Sequence, residues 1–163
     1  MNRRPVDQLI ASLGLKPHPE GGFYSETWRS PLQVTPSDDR GSRSALTTIY
    51  FLLPAGAMSR WHRVQSDEVW IHIEGAPLEL LTISADEWQL QRIVLGALAS
   101  GQQPVHCVPA GWWQAARSIG DYTLVCCAVG PGFSFDDFEM LKDDAQLTAE
   151  ISARFPEVRS IDG

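Results

Sequence analysis

Residues 56–75 read GAMSRWHRVQSDEVWIHIEG, and the fold turns on how this stretch is laid onto strands. Residues 58–63 and 68–74 carry the bulky side chains of strands, and Gly56 and Gly75 punctuate them. Successive side chains on a strand point to opposite faces. If Glu68 points inward, Trp70, His72 and Glu74 do so as well, while Val69, Ile71 and Ile73 form an apolar outer face. The inner row is then the polar one. Such a row needs partners or water, which marks it as the wall of a binding cavity rather than as core. His62 lies on the preceding strand, with Arg60 at the same parity.

Further short stretches of this kind lie at 22–29, 45–53, 77–84, 88–95, 104–108, 112–118 and 122–129, separated by Gly-, Pro- or Asp-rich breaks. Many short strands with frequent turns predict an antiparallel sandwich or barrel over 15–140. Helical spacing of Val6, Leu9, Ile10 and Leu13, with Pro5 at the first turn and Gly14 at the stop, predicts an opening helix within 1–14. Leu147, Ile151 and Phe155, four apart, predict a helical segment in 141–163. Residues 31–41, PLQVTPSDDRG, read as a mobile loop.

At 163 residues, with 44% hydrophobic and 20% charged residues, the chain suits one globular domain rather than a disordered or fibrous protein. The net charge of -7 is uneven: residues 1–135 carry -2 and the last 28 residues -5. No run of Lys and Arg suits a nucleic-acid polymer. The most apolar stretch, 45–58, is too short and too interrupted to span a membrane. Asp7 and Gln8 break the apolar stretch near the amino terminus, which does not read as a secretory signal, so a cytoplasmic location is expected. Cys107, Cys126 and Cys127 form no even-numbered framework and read as reduced core thiols.

The central stretch resembles the first motif of the cupin superfamily: Gly, five residues, His-x-His, three or four residues, Glu, six residues, Gly. Gly56, His62, Glu68 and Gly75 match, and Val64 stands in place of the second His. Pro109-Ala110-Gly111-Trp112-Trp113-Gln114 resembles the second motif, with Gln114 in place of its His. Over most of 15–140, the phrases PHPEGGFYSETWRS (17–30), TTIYFLL (47–53), SRWHRVQSDEVW (59–70), VPAGWWQAA (108–116) and PGFSFDDFE (131–139) are similar to the cupin-like branch grouped as a domain of unknown function. The resemblance implies an all-β double-stranded β-helix, or jelly roll, here with short N- and C-terminal helices. It also implies homodimers, and a fold similar to that of dTDP-sugar epimerases. The strand from Phe23 to Trp28 is a candidate dimer edge.

In metal-using cupins three His and one Glu hold a divalent ion. His62, Glu68 and Gln114 would supply one imidazole, one carboxylate and one amide, a weak set for Zn or Fe. His72, about 13 Å along the strand from Glu68, adds nothing to it. No cofactor is therefore favoured, with a divalent metal as the alternative. The same residues suit acid-base chemistry: His62 as general base, Glu68 orienting or charging it, and Tyr24, Tyr50 or His72 as the partner acid. Cupin-fold epimerases work in a similar way, with a His base and a Tyr acid at carbons next to a carbonyl. Arg60, Trp70, His72, Trp112 and Gln114 are the candidate ligand-binding residues, with Arg60 favouring an anion and the tryptophans a sugar ring or nucleobase. Bland roles stand beside these: a buried hydrogen-bonded His62, a Glu68 paired with Arg60 or Arg63, and tryptophans that only fill the barrel. His18 and Glu20, in PHPEGG, read as rim or dimer-contact residues.

The expected function is an isomerase or epimerase acting on a sugar or sugar-nucleotide-like anion, without metal. A non-catalytic ligand-binding cupin and a metal-dependent dioxygenase or isomerase are the alternatives.

Overall fold

A computed structural model describes residues 6–161; Pro5 lies outside the described residues. Helix α1 (Val6–Leu13) opens it. The strands in chain order are β1 (Lys16–Pro17), β2 (Phe23–Arg29), β3 (Gln33–Val34), β4 (Arg43–Ser44), β5 (Thr47–Pro54), β6 (Met58–Val64), β7 (Asp67–Gly75), β8 (Leu78–Ile83), β9 (Leu90–Leu95), β10 (Val105–Val108), β11 (Trp113–Ser118), β12 (Tyr122–Gly130) and β13 (Phe138–Met140). Helix α2 (Ala145–Arg154) follows, and Asp144 caps it by accepting from the Leu147 N–H.

Two antiparallel sheets face each other, one ordered β1-β2-β5-β12-β7-β10 and the other β13-β6-β11-β8-β9. This is the jelly roll expected of the sequence. From β5 onward the chain crosses between sheets at nearly every turn. His62 on β6 and Glu68 on β7, six residues apart, therefore approach the interior from opposite walls.

Phe51, Leu53, Trp70, Leu78, Leu80, Val125 and Cys127 fill the interior between the sheets. The outer faces are covered by the helices. Leu9 of α1 packs on Leu52, Tyr122 and Leu124, with Tyr50 alongside. Ile151 of α2 packs on Trp61, Trp113, Leu81 and Leu141. Each buried aliphatic of this kind contributes about 1.5–3 kcal/mol, so both helices are held by their apolar stripes rather than by length.

Two bulges change the strict alternation of side chains. Between Ser59 and His62, β6 advances three residues while β11 advances two, from Ala116 to Gln114. The extra residue turns Arg60 out to solvent, while Ser59 and His62 are both buried. On β7 the register slips between His72 and Glu74. Glu74 then joins the outer face, where it accepts from the Tyr122 hydroxyl. The inward parity expected for Arg60 and Glu74 fails for these reasons. Residues 31–41 are tied to the barrel through Arg40, which reaches Ser66 and Asp137, and just beyond them Arg43 grips Asp137 through two bonds. Cys107, expected in the core, is exposed on β10.

Candidate functional site

A cavity of about 610 Å³ opens between the sheets, a size suited to a small molecule. His62, Glu68, Glu20, His18 and Cys127 line it, with Tyr24, Lys16, Phe133, Phe135 and Phe138.

Glu20 reaches the interior because of the turn that carries it. Gly21 has φ +110, and a Cβ there would stand 1.9 Å from the Met58 carbonyl oxygen. Only glycine allows that approach. The turn is pressed onto the start of β6, where the Arg60 N–H donates to the Glu20 carbonyl at 2.8 Å and the Ser59 hydroxyl donates to Glu20 Oε1 at 2.9 Å. Arg60 thus serves the site through its backbone, and its side chain does not line the cavity.

His62 is 2% exposed. Its Nδ1 lies 2.7 Å from the Arg60 carbonyl oxygen, which can only accept, so Nδ1 carries a proton. That leaves Nε2 as the reactive nitrogen, 3.2 Å from Glu20 Oε2. The same oxygen lies 3.4 Å from Nδ1 of His18, and that nitrogen accepts the backbone N–H of Glu20 at 3.2 Å. Glu20 Oε2 therefore faces two ring nitrogens that hold lone pairs. A proton on Glu20, shared with His62 Nε2, satisfies this arrangement. Burial raises the Glu20 carboxyl to about 8, against the pull of the Ser59 hydrogen bond. Burial also lowers His62, against the attraction of Glu68, and lowers His18 to about 4.

Glu68 sits across the interior on β7, and burial raises it to about 7. The Gln114 amide nitrogen donates to Glu68 Oε2, while Gln114 Oε1 accepts from Trp70 Nε1 at 2.9 Å. An indole nitrogen only donates, which fixes the amide with its oxygen turned away from Glu68.

This bears on the metal alternative. Gln114 presents N–H rather than oxygen toward Glu68, Val64 offers no donor, and Nε2 of His62 is engaged by Glu20. Among the described residues no three His, Cys, Asp or Glu side chains are placed to hold an ion. The donor set does not fit the divalent ion of metal-using cupins.

Of the candidate residues, the structure brings His62, Glu68, Gln114 and Tyr24 together at or directly behind the cavity wall. It does not bring the others. Tyr50 faces outward under α1, because its neighbours Ile49 and Phe51 take the inward parity. His72 does not line the cavity, and its Nε2 meets the Ala76 carbonyl at 3.1 Å. Trp70 is buried core behind Gln114, and Trp112 packs against the same core without lining the cavity. Glu68 pairs with neither Arg60 nor Arg63; Arg63 binds Glu139 instead.

The sequence reading missed Glu20, His18 and the phenylalanines. The paired glycines after Glu20 were the available signal for a tightly docked turn, and Phe133, Phe135 and Phe138 were visible as the repeated aromatics of PGFSFDDFE. Among the cations, Arg29 is spent on Glu26 and the Phe133 carbonyl, and Arg43 on Asp137. Lys16 makes no ion pair among the described residues and stands 5.3 Å from the Tyr24 ring centre.

The family model described as Cupin superfamily (DUF985) matches residues 7–141. The chain belongs to this family. The match takes in α1 from Asp7 onward, every strand, and both the Glu20 turn and the His62 strand. Among relatives of this cupin, protein SO0799 from Shewanella oneidensis is 36% identical, with 98% of each chain covered and a TM-score of 0.83. A hypothetical protein from Leishmania major is 34% identical, with 94% of each chain covered and a TM-score of 0.80. The uncharacterized protein YML079W from Saccharomyces cerevisiae is 28% identical over 158 residues, covering 87% of this chain and 78% of that protein.

Proposed function

We propose that this cupin is a metal-independent isomerase or epimerase that moves a proton at a carbon next to a carbonyl group in a small, sugar-like substrate. The observation that carries the reading is His62 Nε2, facing the cavity wall against Glu20 while Nδ1 is locked to the Arg60 carbonyl.

In the working form the Glu20–His62 pair has lost its shared proton. Nε2 of His62 then takes the proton from the substrate carbon, the C–H electron pair becomes the C=C bond of an enolate, and the carbonyl oxygen takes the negative charge. The ionised Glu20 carboxylate stabilises the imidazolium that results. Tyr24 lines the cavity from the six-stranded sheet and His62 from the five-stranded one, so the Tyr24 hydroxyl can return a proton to the opposite face. Tyr24 is then reprotonated from solvent, and His62 releases its proton the same way. Lys16 lines the cavity and makes no ion pair among the described residues, so it offers a cation for an anionic group.

The test is solvent exchange. A panel of enolisable carbonyl compounds, including keto sugars, sugar phosphates and 2-oxo acids, is incubated with the chain in deuterium oxide and followed by proton NMR. The reading expects one class to exchange its α-proton, and expects exchange to disappear in a folded His62→Ala variant. Exchange that is equally fast with that variant would overturn it.

The homodimer also belongs to this proposal. β1 covers only Phe23 and Tyr24 of β2, and no other strand among the described residues pairs with that edge beyond Tyr24, with Trp28 exposed. A sedimenting monomer at micromolar concentration would count against a dimer.

A further inference from the structure

The residues first expected to read the substrate, Trp70, Trp112 and Arg60, do not line the cavity, and a different set takes their place. His18 is one of that set and lines the cavity wall. Its side chain is 6% exposed and lies in a collar of rings: Tyr24 at 4.6 Å between centroids, Phe138 at 5.8 Å, Phe51 at 5.9 Å and Phe135 at 6.0 Å. Phe133 extends the collar, 5.0 Å from Phe135.

The tautomer of His18 follows from one contact. Nδ1 accepts the Glu20 backbone N–H, so a neutral ring carries its proton on Nε2. Burial favours the neutral ring. No side chain or carbonyl among the described residues takes a hydrogen bond from Nε2. The ring borders the cavity and Nε2 is open to it, since it is not one of the enclosed polar atoms left without a partner. Its acceptor is therefore an atom of whatever fills the cavity.

We infer that His18 is the electrophile of this site, its Nε2–H receiving the substrate carbonyl oxygen, and that the reacting end of the substrate is planar and largely apolar, held by the Phe133, Phe135 and Phe138 rings. This rests on the proton-transfer reading above and names its substrate class. A neutral imidazole is suited to the task. It donates one directed hydrogen bond to the oxygen as charge develops there, and that bond strengthens from ketone to enolate. The phenylalanines present flat apolar faces that suit the sp²-hybridised, enolisable end of the substrate. Glu20 joins the two halves: its backbone N–H sets the His18 tautomer, and its carboxyl meets His62.

The probe is 4-nitrophenol, a planar ring whose phenolate oxygen imitates an enolate and whose visible absorbance reports its ionisation. It is titrated into the full chain near pH 7. Wild type is expected to bind it and to shift bound probe toward phenolate. His18→Phe, which keeps the ring packing and removes the donor, is expected to weaken phenolate binding about ten-fold or more; His18→Gln, which restores an N–H, is expected to recover part of it. An unchanged shift in His18→Phe, or no binding to wild type, overturns the proposal. Should His18→Phe fold poorly, nitrogen-15 NMR of wild type decides instead: a proton on His18 Nε2 that moves downfield when the probe is added supports the assignment, and a proton on Nδ1 contradicts it. The two readings fail separately. His18-dependent phenolate binding without any α-proton exchange defeats the catalytic reading alone, and His62-dependent exchange that is indifferent to His18 defeats this one alone.

Discussion

Glu20 Oε2 stands 3.2 Å from His62 Nε2, and the proton between them has one plausible donor, the carboxyl itself, because Nδ1 of His62 already gives its hydrogen to the Arg60 carbonyl. The pair holds one mobile proton and is electrically neutral overall. That is how two ionisable groups remain in an apolar interior without the cost of an isolated charge.

Activity should therefore rise with pH as the pair ionises. Loss of the shared proton near 8 creates the basic form, so kcat/KM for the exchanging substrate is expected to climb toward that value. In Glu20→Gln the imidazole no longer shares a proton, and burial keeps it neutral. The rising limb should move to lower pH while the maximal rate falls about 10²-fold or more. A limb at the same pH in both proteins would show that Glu20 plays no part in setting the base.

Stability has its own pH signature. The Glu20 and Glu68 carboxyls are raised from an ordinary 4.5 to about 8 and about 7, and His18 is lowered from 6.5 to about 4, with His62 lowered as well. Below about 4.5 the unfolded chain binds more of these protons, so stability rises with pH. Between 4.5 and 6.5 the raised carboxyls and the lowered imidazoles act in opposite directions. Above 6.5 the folded chain holds protons that the unfolded chain has released, and stability falls by about 1.4 kcal/mol per pH unit for each carboxyl still protonated. Denaturant titrations should show an acid limb rising toward about pH 4.5 and an alkaline decline above about 6.5 that shrinks in Glu20→Gln. A stability still rising from pH 7 to 8 would contradict the assignment.

The glycine turn can be tested apart from the carboxyl it carries. Gly21→Ala forces a methyl group into the Met58 carbonyl, so the turn must lift from β6. The expected result is a loss of about 2 kcal/mol or more together with the loss of α-proton exchange. Ile151→Ala is the control on the far face of the five-stranded sheet. Ile151, on the inward face of α2, is fully buried, and its truncation should cost about 2–5 kcal/mol with exchange retained at permissive temperature. If both variants lose exchange equally, the turn has no special role.

Metal affinity should depend on two substitutions. Titration of wild type with zinc or manganese is expected to leave Tm unchanged, whereas Val64→His with Gln114→His restores the imidazoles of the family motif and should raise Tm with added metal. A wild-type chain that gains as much as the double variant would contradict the donor-set argument.

The strands and turns were legible because their signals are local: alternating bulky side chains bounded by Gly and Pro. His62 and Glu68 were legible because the motif spacing places them on adjacent strands that face each other. What escaped was set by backbone irregularity and by docking. A one-residue bulge sent Arg60 outward, and another turned Glu74 to the outer face. Glu20 lies 42 positions before His62 in the chain, and nothing local to PHPEGG shows that its turn closes on β6. Tyr50 and Tyr24 look alike in sequence, and which of them meets the cavity depends on the register between β2 and β5.

Nitrogen-15 NMR of the His62 ring across pH reads the proton shared between Glu20 and His62. A proton on Nδ1 throughout is expected, with a change at Nε2 centred near pH 8 that vanishes in Glu20→Gln. An ordinary imidazole titration near 6.5, the same in both proteins, would contradict it.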